Sequence, residues 1–202
     1  MKLILASGSP RRAEILRNAG FIFEVSPARI DESPLAGELS DACVRRLAHA
    51  KARAAAQDDL ILEPDTYIIG ADTVVVAEGQ MLGKPADFQD ARRMLRLLRG
   101  KTHEVLTGVS ILSGSDGPEK QHVETTRVTM LQFSDSDIDE YLATSEPFDK
   151  AGAYGIQGIG GRFVSRVEGC YFNVMGLPLS RVWSMLRALG WDDSSIRHQA
   201  PR

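Results

Sequence analysis

The chain has 202 residues, and its 24 Lys and Arg against 27 Asp and Glu leave a net charge of −3. That length can bury a full core as one domain or two small lobes, and the acidic balance argues against a nucleic-acid polymer as partner, because no basic surplus exists to neutralise its backbone. Cys43 and Cys170 stand far apart with no CxxC pair, which argues against a zinc ribbon or a disulfide framework and for a reducing, cytoplasmic setting.

Leu3-Ile4-Leu5 reads as a buried strand, too short for the apolar region of a signal peptide or for a membrane span. A small-residue turn, Ala6-Ser7-Gly8-Ser9, leads into a helix, with Ser9 as cap, Pro10 in the first turn and Gly20 as the stop. Phe21–Val25 reads as a second strand, residues 26–39 as a loop, and the alanine-rich stretch Asp41–Gln57 as a helix. Tyr67–Val76 is the most β-prone segment, and its continuous apolar character predicts a strand covered on both faces. A hairpin turn at Glu78-Gly79-Gln80 follows, then a helix over Asp87–Arg99 with Asp87 as cap and Gly100 as stop. Strands are expected over Val105–Leu112 and His122–Phe133, with a surface turn at residues 113–118. Ser134 is placed to cap a helix running to Ala143. The stretch 149–161 is glycine-rich, Phe163–Val167 reads as a strand, Leu179–Leu189 as a last helix, and residues 191–202 as a polar tail. Helices alternate with strands before longer strands accumulate, which predicts an α/β protein with a mixed sheet and a cleft.

Arg11 and Arg12 open the first helix, where the dipole disfavours cations by roughly 0.3–1 kcal/mol. Two guanidinium groups beside a helix N-terminus make an anion site suited to phosphate; solvated surface charges are the plainer reading. Asp72 lies inside Ile69-Gly70-Ala71-Asp72-Thr73-Val74 and needs a partner, either a hydrogen-bond network with Thr73 or a nearby Lys, or a metal ion or activated water. Asp31-Glu32 is a solvated pair unless its loop folds over the arginines, in which case Glu32 and Asp72 share a hard divalent cation, Mg²⁺ or Mn²⁺. Lys84 before Pro85 and Lys51 on its helix are weaker phosphate candidates, and Asp149-Lys150 reads equally as a local ion pair. The glycine run 155–161 precedes a strand, so the dinucleotide fingerprint fails, yet Gln157 has a donor and an acceptor to offer a base edge if it is not simply exposed on a tight turn.

Ala6-Ser7-Gly8-Ser9-Pro10-Arg11-Arg12, Ile69–Val74, Gly83-Lys84-Pro85, Asp149–Gly158 and Gly176-Leu177-Pro178-Leu179 together resemble the Maf family of nucleoside triphosphate pyrophosphatases. The resemblance implies a mixed α/β, two-lobed architecture with a central cleft, shared with the inosine triphosphate pyrophosphatases, as one domain over residues 1–190. It implies metal-dependent hydrolysis between the α and β phosphates, with Asp72 as proton acceptor and Arg11, Thr73 and Gln157 tied to substrate choice. The reading of the residues themselves adds Ser7, Arg12, Lys51, Lys84, Asp149 and Lys150 as substrate contacts, and Asp72 and Glu32 as metal ligands. Tyr154-Gly155-Ile156-Gln157-Gly158 is similar to the dTTP and UTP subgroup; a modified-purine or 7-methyl-GTP pyrophosphatase and a nucleotide-responsive division-control protein are the alternatives. A homodimer is implied by the resemblance alone.

Overall fold

In the computed structural model residues 1–57, 65–114 and 117–192 are described. The elements are β1 (Lys2–Ala6), α1 (Pro10–Asn18), β2 (Glu24–Val25), α2 (Ser40–Ala56), β3 (Thr66–Ala77), β4 (Gln80–Leu82), α3 (Phe88–Leu98), β5 (Thr102–Ser113), β6 (Glu119–Met130), α4 (Asp135–Leu142), β7 (Val164–Glu168), α5 (Tyr171–Val174) and α6 (Leu179–Ala188). The strands form a mixed sheet in the order β2-β1-β3-β5-β6-β7, with β4 paired to β3. β1 runs parallel to both β2 and β3, whereas β3–β4 and β6–β7 are antiparallel. The expected α/β class and mixed sheet are therefore present.

The chain divides into two compact units that interleave in sequence: the first holds Met1–Asp72, Thr107–Val123 and the chain from Gly176, the second Thr73–Leu106 and Glu124–Met175. In the first unit Ile4, Ala6 and Ile68 pack on Ala52, Ala55 and Ala56 of α2 and on Leu112. In the second, Met94, Leu95 and Leu98 of α3 meet Val105, Val128, Phe133, Tyr141 and Phe163. No helix of the described residues is long and apolar enough to cross a membrane.

Local chemistry explains most boundaries. Asp87 caps α3 by accepting the Asp90 amide, and Ser134 closes a capping box with Asp137 on α4. α1 ends with Gly20 at φ 83, whose amide donates to Arg17 while that of Phe21 donates to Leu16, the paired bonds of a Schellman stop. That stop corrects the expected strand Phe21–Val25: Phe21 closes the helix, and pairing is left to Glu24 and Val25. Glu78 and Gly79, both at positive φ, make the two-residue turn between β3 and β4. The expected strand His122–Phe133 begins earlier, at Glu119, and ends at Met130. The glycine-rich stretch is not a plain loop: short 3-10 turns lie at Glu146–Asp149, Ala151–Ala153 and Ile159–Phe163. Residues 115–116 of the expected surface turn and the tail from 193 lie outside the described residues.

Candidate functional site

In the first unit, β1 ends at Ala6 and the chain turns through Ser7-Gly8-Ser9 into α1. Pro10 takes the first helical position as expected, but the Ser9 side chain makes no capping bond; its amide instead donates to Ser7 Oγ at 3.3 Å. Arg11 is half-buried. Arg12 turns inward and is 7% exposed. Its Nε donates to the Gly176 carbonyl at 2.7 Å, and its Nη1 to Ser7 Oγ at 2.9 Å and to the Ala71 carbonyl at 2.8 Å. Burial pulls this guanidinium below its ordinary value, while the charge on Asp72 works the other way. The solvated reading of Arg12 is corrected: the side chain ties the end of β1 to β3 and to the chain before α6. Spacing carried that signal, since Arg12 lies three and four residues before Ile15 and Leu16 on the buried face of α1.

Asp72 finds its partner in Lys51. The ammonium lies 2.7 Å from Asp72 Oδ1 and 3.1 Å from Glu32 Oε1, so one cation joins the two carboxylates that the sequence assigned to a metal. The Lys51 side chain is 8% exposed and that of Asp72 14%. Lys51 follows Leu47 by four residues and Ala48 by three, which puts it on the buried face of α2. Backbone contact brings the two elements this close. A Cβ at Gly70 on β3 would lie 2.7 Å from the Ala52 amide nitrogen and would collide with the Ala48 carbonyl; one at Gly108 on β5 would collide with the Val44 carbonyl.

Glu32 sits on a loop that stays exposed to solvent, as the solvated reading expected, but is tied down by side-chain bonds. Asp31 Oδ1 accepts the Ser33 amide at 2.9 Å. Arg46 of α2 forks onto Glu38 at 2.6 and 2.7 Å and also reaches the Ser33 carbonyl. The Glu38 carboxylate takes the Leu35 amide as well, and the Arg46 bonds hold its pKa at about 2. Neither Arg46 nor Glu38 had a motif to announce it.

The second unit holds the other candidates. Thr73 is half-buried, Lys84 and Gln157 are exposed, and the Gly83 carbonyl accepts the Gly152 amide at 3.1 Å. Lys150 pairs with Asp149 at 2.5 Å, the local ion pair anticipated, and its ammonium also donates to the Glu146 carbonyl at 2.6 Å. Tyr154 lies 2.8 Å from His103 Nε2 in the interior.

Among the described residues no group of three or more His, Cys, Asp or Glu side chains is placed to hold a metal ion. Asp72 and Glu32 are nevertheless two hard oxygen donors that already converge on a cation, the Lys51 ammonium. Mg²⁺ is commonly held by one or two carboxylates completed by phosphate oxygens and water, so this pair fits such an ion.

The family model described as "Maf-like protein" matches residues 2–189. The chain is 52% identical to a dTTP/UTP pyrophosphatase from Koribacter versatilis, over 94% of this chain and 95% of that one. It is 47% identical to one from a Geobacillus species, over 94% and 99%. A Ham1 protein from Coxiella burnetii aligns with a TM-score of 0.45 and 15% identity, over 64% of this chain and 73% of that one. The match from residue 2 to 189 runs from β1 through α6 and takes in both units, and on it the chain belongs to the Maf family.

Proposed function

We propose that the protein is a nucleoside triphosphate pyrophosphatase that hydrolyses dTTP and UTP to the monophosphate and pyrophosphate. The observation that carries this reading is the half-buried Asp72 carboxylate held 2.7 Å from Lys51, in a chain 52% identical to a relative named for that activity. Lys51 fixes Asp72 Oδ1, and Oδ2 takes the proton of the attacking water. The new bond forms from that water oxygen to the α-phosphorus, and the bond from the α-phosphorus to the bridging oxygen breaks as pyrophosphate leaves. Arg11 and Ser7, at the start of α1, suit phosphate oxygens, and Arg12 positions Ser7 from behind. Lys84 and Lys150 add positive charge for the phosphate chain. Thr73 and Gln157 bear on substrate choice, Gln157 by offering a donor and an acceptor to a pyrimidine edge. Asp72 and Glu32 would hold Mg²⁺ or Mn²⁺, which when bound supplies Lewis-acid polarisation of a phosphate oxygen.

Residues 1–190 are read as one functional domain. The free Cys43 and Cys170 suit a cytoplasmic setting, and family resemblance supports a homodimer, which sedimentation would check.

Pyrophosphate release across a panel of triphosphates, with and without chelator, tests the reading. We expect turnover of dTTP and UTP, loss on chelation, and recovery with Mg²⁺ or Mn²⁺. Folded Asp72→Asn is expected to lose on the order of 10²–10⁴-fold in kcat. Undiminished turnover by that variant would refute the assignment. Preference for 7-methyl-GTP would move the protein to another subgroup, and tight binding without release would make it a nucleotide-responsive module.

A further inference from the structure

Several backbone segments of the second unit meet at one carboxylate that the reaction does not use. Glu146 lies in the 3-10 turn after α4. Its Oε1 accepts the Tyr141 hydroxyl at 2.8 Å and the Gly160 amide at 2.9 Å, and its Oε2 accepts the Ile159 amide at 2.8 Å. The same Tyr141 oxygen accepts the Gly155 amide at 3.2 Å. One Tyr–Glu pair therefore grips the glycine loop at both ends, and Gln157 stands exposed between the grips. The glycines are what allow this closeness. A Cβ at Gly158 would lie 2.6 Å from the Glu146 carboxyl carbon, and one at Gly160 would lie 2.6 Å from the Tyr141 hydroxyl. Burial would raise the Glu146 carboxyl, yet the Gly160 and Ile159 amides and the Tyr141 hydroxyl outweigh it and hold it below the ordinary range. Burial also raises the Tyr141 phenol, so it remains a donor at neutral pH.

We propose that Glu146 and Tyr141 are positioning residues that fix the loop from Gly155 to Gly161 and so set the base preference carried by Gln157. The inference rests on the reading of Gln157 given above. Its chemistry is that of a freely rotating amide. UTP and CTP differ at the pyrimidine edge by exchange of a carbonyl acceptor for an amino donor. Because rotation lets a Gln amide offer either end to either base, discrimination has to come from where the loop places that amide against the pyrimidine edge, and it is this placement that a held backbone fixes.

The test compares wild type with Glu146→Gln, Tyr141→Phe and Gln157→Ala, each checked for a native circular dichroism spectrum. Steady-state assays use UTP and CTP, and amide hydrogen exchange is followed over residues 155–161. Glu146→Gln turns an amino group towards one of the two backbone donors. We expect its UTP-over-CTP ratio in kcat/KM to fall about tenfold, with KM for UTP rising more than kcat falls, and exchange at Ile159 and Gly160 to quicken about tenfold. Tyr141→Phe is expected to show the same changes in smaller measure, because both amides keep their carboxylate. Loss of the ratio in Gln157→Ala but its retention in Glu146→Gln would overturn the positioning role and leave the reading of Gln157 standing. Unchanged exchange in folded Glu146→Gln would overturn the grip itself. A wild type with no UTP-over-CTP preference would overturn the role assigned to Gln157 and the base preference with it, while quickened exchange would still establish the grip.

Discussion

Arg12 illustrates how one residue changes its task once the chain folds. A guanidinium at a helix start is unfavourable against the dipole, so its presence invites an anion as explanation. Instead its Nε and Nη1 are given to the Gly176 and Ala71 carbonyls and to Ser7, with the side chain 7% exposed. Arg12→Ala would leave two carbonyls and a serine hydroxyl without this partner. A loss of about 3 kcal/mol in unfolding free energy is expected, since each buried group left unsatisfied costs about 1–3 kcal/mol. Arg12→Lys should recover only part, because an ammonium lacks the planar fork. Urea unfolding of the three proteins checks this, and wild-type stability in Arg12→Ala would contradict it. Lys51 was legible in the same way as Arg12, by its place on a buried helical face. Its pairing with both Asp72 and Glu32 was not, because sequence spacing cannot say which loop folds over which helix.

At the scale of elements, α2 and its two supporting strands decide the geometry of the charged cluster. α2 is lined towards the sheet by alanines, and β3 and β5 present Gly70 and Gly108 to its backbone. Close approach of helix and strand is what sets Lys51 of one against Asp72 of the other. Gly70→Ala should therefore force the pair apart, destabilising the fold by about 1–3 kcal/mol, the usual cost of overpacking, and lowering turnover together with stability. Gly83→Ala is the control for stability, since a Cβ there meets nothing within 4 Å. Thermal unfolding and pyrophosphate release measure both effects; a Gly70→Ala protein as stable and active as wild type would contradict the packing argument. The caps at Asp87 and Ser134 and the stops at Gly20 and Gly100 were readable because capping is local chemistry. The 3-10 turns around Glu146 were not, because the bonds that hold them come from α4 and from residues thirteen or more positions away.

The whole molecule titrates according to groups that folding moves from their ordinary values. Burial holds His103 at about 4 in the fold, against 6.5 ordinarily. The unfolded chain therefore takes up a proton first as pH falls, and stability present above 6.5 is lost between 6.5 and 4, by about 3 kcal/mol. Burial would raise Glu119, but hydrogen bonds from His49, Gln121 and Ser110 hold it at about 2, against 4.5 ordinarily. Its contribution is present above 4.5 and is lost between 4.5 and 2. Urea unfolding from pH 7 to pH 3 should show a flat region at the top and a decline beginning near 6.5 that His103→Phe removes. Unchanged wild-type stability between pH 7 and pH 5 would contradict it. By itself the sequence determined the α/β class, most helix ends, the buried strand around Asp72 and the family, because each rests on local periodicity, capping chemistry or ordered motifs. Only the tertiary structure decided that Arg12 is a tie, that Lys51 joins Asp72 to Glu32, and that Glu146 grips the glycine loop. Those outcomes depend on backbones brought together from distant parts of the chain, and no spacing along it encodes which ones meet.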